Sequence, residues 1–195
     1  MNEPIRKFRE TVIKNFSRKN FKYHEWMTEY HLLIVERIAM ELCDFYPAAD
    51  RNIVQALVWF HDFGKPLDTE NERERTLTEG PKAMRDAGFS PEFIDRVIEC
   101  WQLMEKKNDI DIRTTPIETQ IVSSADGASH FTGVFYPSYF NEDGDNFSTT
   151  QQHLREKITK DWERKIVLPE ARKAFEDRYN RAKELLGEFP DKFLE

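Results

Sequence analysis

The 195-residue chain is long enough for one domain with a substantial core and shorter than two ordinary domains need. Its 36 acidic residues against 29 Lys and Arg give a formal net charge of -7. That balance excludes the basic face duplex nucleic acid requires, but not a phosphate-binding pocket, whose local sign a bound cation would set.

The amino-terminal stretch MNEPIRKFRETVIKNF carries charges throughout and lacks the apolar core of a signal peptide. No apolar run approaches the ~20 residues that span a bilayer. The chain is therefore expected to be cytoplasmic and free of membrane contact. Cys43 and Cys100 lie far apart and outside any CxxC pattern, which excludes a disulfide framework or a structural zinc knot and fits a reducing compartment.

Apolar spacing is helical almost throughout and predicts an all-α fold of seven or more helices, with residues 1–195 as one domain. From Glu29 to Cys43, the residues Leu32, Val35, Ile38, Ala39 and Leu42 mark one buried face. Asp50 is a natural N-cap for a helix through Ile53, Ala56, Leu57 and Phe60, which Gly64 and Pro66 stop. The charged run TENERER after it reads as a solvated loop or a helix start, followed by a helix over Thr76 to Ala87 that Gly88 caps. Ser90-Pro91 opens another helix with Phe93, Ile94, Val97, Ile98 and Trp101 inward, and Pro116 opens one through Ile121, Val122 and Ala125. Phe135 to Asn146, with proline, glycine and acids, reads as the longest loop. Its NEDGDN segment does not carry calcium-loop spacing, because a count from Asn141 puts Asn146 and Gln152 where glycine and a carboxylate belong. Ser148 to Leu186 reads as two helices broken at Leu168-Pro169, serving packing or a homo-oligomer contact.

The chemistry-bearing residues cluster at helix ends. His61 and Asp62 close an apolar helix, and an imidazole beside a carboxylate suits a divalent ion such as Mn, Fe, Co, Ni or Zn. Taken alone, the dipeptide reads more readily as a helix-terminal histidine next to a solvated acid. Its setting, VWFHDFGKP, follows a lone histidine at the head of EYHLLIVERIAMEL and precedes an acid on IVSSADGASH. Asp126 borders a buried helix face, where a carboxylate needs a partner, and a metal is one.

Together these segments resemble the HD superfamily of metal-dependent phosphohydrolases over roughly residues 27 to 132, with about 148 to 187 as a C-terminal helical extension. The resemblance implies a helical HD-domain fold whose metal ligands are His31, His61, Asp62 and Asp126, with His24 a poorer match for the first. No histidine falls between His61 and Asp126, where two-metal relatives carry extra imidazoles, so the resemblance implies one divalent ion and disfavours a two-iron oxygenase.

A metal so held would serve hydrolysis of a small phosphate monoester, nucleotides foremost, with Asp62 in the catalytic set. Lys65, one turn beyond Asp62, is read as the cation that meets the phosphoryl oxygens, or else as a lysine compensating a helix C-terminus. His130, four residues after Asp126, is read as a proton donor or substrate contact, or else as an ordinary histidine behind the ligands or at the surface. Arg73, Arg75, Tyr136, Tyr139 and Phe140 are weaker contacts for a phosphate or a base, whereas Trp59, Phe60, Cys100 and Trp101 read as packing. A non-catalytic metal- and nucleotide-binding module and a phosphodiesterase remain open alternatives.

Overall fold

The computed structural model describes residues 2–143, 146–192 and 194, with main chain alone given for residues 142 and 143. Among them there are nine α-helices and no strands. α1 (Glu3–Phe16) turns Ile5, Phe8, Val12 and Phe16 fully inward. A π turn, Thr28–Leu32, runs into α2 (Leu33–Phe45), and α3 (Arg51–Phe60) follows. Asp50 caps α3 as expected, its carboxylate accepting from the backbone N–H groups of Asn52 and Ile53.

α4 spans Glu72–Ala87, so the charged run becomes its first turn, where Glu72 and Glu74 suit the positive end of the helix dipole. It ends on Gly88, whose φ of 102° is the left-handed cap read from sequence. α5 (Pro91–Glu105) begins on the Ser90 cap, and α6 (Ile117–Ser129) begins after Pro116. α6 is buried nearly all round and packs against α2, α3, α5 and the C-terminal segment, which makes it the axis of the molecule.

Phe135 to Asp143 is not a loop but a helix, α7. Pro137 lies in its first turn, where a missing N–H costs nothing, and Phe135 and Tyr136 are buried against the core. Gly144 and Asp145 of the NEDGDN segment lie outside the described residues. α8 (Phe147–Lys160) continues into a second π turn, Asp161–Lys165, before α9 (Pro169–Leu185). Leu154, Ile158, Ile166 and Leu168 join the same apolar core as α1 to α6, so the C-terminal segment shares one core with the rest. Among the described residues no helix is long and apolar enough to cross a membrane.

Candidate metal centre

α3 is apolar on every side, with Ile53, Val54 and Ala56 through Phe60 all buried, so its C-terminal end lies in the interior and delivers His61 there. Trp101 holds the turn by donating from Nε1 to the His61 carbonyl at 2.9 Å. The chain then folds back tightly. Gly64 donates to Thr76 Oγ1 at 3.0 Å, and any side chain on it would run into the Glu72 carbonyl. The π turn before α2 carries His31, and the middle of α6 carries Asp126.

Four acceptor atoms converge from these elements. His31 Nε2 lies 3.3 Å from His61 Nε2, 3.4 Å from Asp62 Oδ2 and 3.8 Å from Asp126 Oδ1. His61 Nε2 lies 3.6 Å from Asp62 Oδ2 and 3.9 Å from Asp126 Oδ1. Donors around one ion at bonds of about 2.1 Å stand roughly 3 to 3.6 Å apart, a spacing that His31, His61 and Asp62 meet and from which Asp126 stands slightly farther out.

The tautomers follow from the outer partners. His61 Nδ1 is 2.6 Å from the Val58 carbonyl, which can only accept, so Nδ1 carries the proton. Ser129 Oγ donates to the Asp126 carbonyl at 2.7 Å and therefore accepts from His31 Nδ1 at 2.9 Å. Both Nε2 atoms consequently present lone pairs to each other and to two carboxylates. Burial pushes the His31 pKa down to about 4, which keeps that imidazole neutral at physiological pH. Such a donor set fits a divalent cation and is repulsive without one.

Burial opposes ionisation of both carboxyls. The Lys65 ammonium beside Asp62 and the Lys165 ammonium beside Asp126 overcome it and hold both well below the usual carboxylate range. Lys65 Nζ stands 2.9 Å from Asp62 Oδ2 and 3.9 Å from a Glu72 oxygen. It is therefore at the site rather than on the surface.

His130, the C-cap of α6, is 5% exposed and so is no surface histidine. Its Nε2 lies 3.3 Å from Asp126 Oδ1, and His31, Asp126 and His130 form a buried group that could hold a metal ion, beside the group of His31, His61 and Asp62. Its Nδ1 meets Asp161 Oδ2 at 2.7 Å. Asp161, which sequence reasoning passed over, also accepts from Tyr136 Oη at 3.0 Å and Lys157 Nζ at 3.1 Å, while Lys165 Nζ bridges to Asp126 at 2.8 Å and to Asp161 at 3.2 Å. The C-terminal helices, expected only to pack, thus carry site residues. The spacing of four between Lys157, Asp161 and Lys165 was the available signal.

These groups line a cavity of about 560 Å³. Tyr23, Trp26, Phe135 and Tyr139 give it an aromatic wall, and Lys107 and Lys160 add further positive charge. Trp101 lines it as well as packing, and Tyr136 is spent on Asp161. Arg73 and Arg75 are not among its walls and pair with Glu105 and Asp68. Phe140 faces a different, apolar groove, and His24 bonds the Phe21 carbonyl away from the cavity. Trp59 and Phe60 are fully buried core, as expected. No family model, curated protein or solved structure matches the chain.

Proposed function

We propose that the chain is a metal-dependent phosphohydrolase of the HD type that cleaves small phosphate monoesters, nucleotides being the first class to test. The observation that carries this reading is the convergence of four acceptors, His31 Nε2, His61 Nε2, Asp62 Oδ2 and Asp126 Oδ1, on the floor of an open cavity. One divalent ion held by those four side chains would polarise a phosphoryl oxygen and lower the pKa of a bound water.

The remaining work falls to the chain itself. Lys65, fixed by Asp62, faces the charge that builds on the phosphoryl oxygens. His130, held by Asp161 through Nδ1 and with Nε2 3.3 Å from Asp126 Oδ1, lines the cavity as the imidazole that would move a proton to the leaving oxygen. The ring of Phe135, stacked on His130 with centroids 3.9 Å apart, keeps that side of the site dry. Tyr139 and Trp26 belong to the aromatic wall that a nucleotide's base would meet.

The test is phosphate release from a panel of nucleotides and sugar phosphates with Mn²⁺, Co²⁺, Ni²⁺, Zn²⁺ or Mg²⁺ supplied to the purified protein. Turnover that needs metal and disappears in Asp62→Ala is expected. Absence of turnover with every metal, or turnover unchanged by the substitution, would overturn the proposal; faster turnover of cyclic nucleotides or aryl diesters would make it a phosphodiesterase.

A further inference from the structure

Three of the five lysines that line the cavity among the described residues come from the C-terminal segment: Lys157, Lys160 and Lys165. In a straight α-helix each step of four residues drifts by about 40° around the axis, so Lys157 and Lys165 would diverge. The π turn counters that drift. Ile166 N–H reaches the Asp161 carbonyl at 3.2 Å across a widened turn, and the two ammoniums arrive on the two oxygens of one carboxylate.

The rest of the fold holds this turn in place. A β-carbon on Gly127 would fall 2.9 Å from Lys165 Cβ and 3.2 Å from the Asp161 carbonyl, so the turn lies against α6 where only glycine leaves room, one residue from Asp126. Ser124 Oγ then accepts from the backbone of Val167 and Leu168 at 3.1 and 3.2 Å and pins the chain leaving the turn.

Asp161 carries a single negative charge, on which two ammoniums, an imidazole and a phenol converge. Asp126, the other acid on Lys165, turns its second oxygen to the metal donors. Stability does not account for the arrangement, because buried ion pairs return little beyond their desolvation cost. With Asp126 also turned to the metal donors, Lys157 and Lys165 share Asp161 beside them. Acids among the described cavity walls outnumber lysines only six to five, so a divalent ion makes the balance positive and suited to a dianion.

We propose that Lys157 and Lys165, set by Asp161 and the π turn, form an anion subsite that takes the phosphoryl oxygens of the substrate. The assignment rests on the phosphohydrolase reading for the identity of the anion as phosphate. It makes α8 and the π turn after it part of the binding machinery.

Inorganic phosphate, titrated calorimetrically into the Mn²⁺-loaded protein, tests this. Lys157→Gln is expected to weaken phosphate binding about tenfold or more, the scale of a lost charge-assisted hydrogen bond, while Lys157→Arg stays within about threefold of the wild type. Mn²⁺ affinity by electron paramagnetic resonance should stay unchanged in both, and the urea midpoint should stay unchanged in Lys157→Arg, which keeps the ion pair with Asp161. In turnover, Lys157→Gln should raise KM for a monoester more than it lowers kcat. Equal phosphate affinity in wild type and Lys157→Gln, or no phosphate binding by wild type, overturns the subsite. Failure of wild type to take up Mn²⁺ instead counts against the metal reading; phosphate binding that still depends on Lys157 would then uphold the subsite, and its absence would end it.

Discussion

Gly127 and Lys165 approach so closely that a single added methyl on the glycine would stand 2.9 Å from the lysine Cβ. The contact ties the helix that carries Asp126 to the turn that carries the site's best-buried ammonium. Gly127→Ala is expected to destabilise the fold by about 1–3 kcal/mol, as overpacking does, and to displace Lys165 from Asp126. Urea denaturation reads the first effect. Weaker phosphate binding in the protein that remains folded reads the second.

Ser129 makes no direct approach to the metal donors, yet it fixes which nitrogen of His31 is free. Ser129→Ala should lower Mn²⁺ affinity about 10-fold, the lower end of what outer partners of metal-bound histidines contribute. Asp126→Ala should cost more than the upper end of that range, about 100-fold. Titration of both variants by electron paramagnetic resonance gives the order. Equal losses would mean that Ser129 acts through the fold instead.

Metal should also stabilise the fold. Two carboxylates and two lone pairs that repel one another are relieved by a cation, so Mn²⁺ at 100 times its Kd should add about 2.7 kcal/mol to unfolding, and chelation should remove it. A thermal melt with Mn²⁺ or with chelator measures the difference, which should vanish in His61→Ala.

Alkaline titration probes the joint between α2 and α9. Tyr46 donates to Glu170 Oε2 at 2.6 Å, and burial together with that carboxylate pushes its pKa up to about 12. The folded state thus favours the protonated phenol. Its contribution is complete below the ordinary value near 10 and is lost as pH rises from there through about 12. Of the six tyrosines, Tyr46 should ionise late, with Tyr136, which burial and Asp161 also hold well above the ordinary value. Tyr46→Phe should remove one late tyrosinate from the absorbance titration and flatten the loss of stability over that window.

Helix starts and stops were legible because each depends on a few adjacent residues: the Asp50 and Ser90 caps, the Gly88 stop and the break before Pro169 all stand where the chain sequence places them. His61, Asp62 and Asp126 were legible for a related reason, since each is a polar group set against an apolar helix face. α7 was misread because proline and glycine weigh on local propensity, while the burial of Phe135 and Tyr136 that stabilises it is tertiary. Lys157, Asp161 and Lys165 were passed over because a charged stripe on a helix normally faces water. Only the seating of the turn on Gly127 turns that stripe inward, and the partner segments are more than thirty residues apart in the chain.

All four donors of the proposed metal shell precede residue 127, whereas Lys157, Lys160 and Lys165 follow residue 150. On the proposed reading the metal donors fall in one stretch of the chain and the lysines of the anion subsite in a later one. An exchange of the segment after α7 is then a route to altered anion preference, provided the replacement keeps partners for Asp126 and His130 and obeys the steric demand at Gly127.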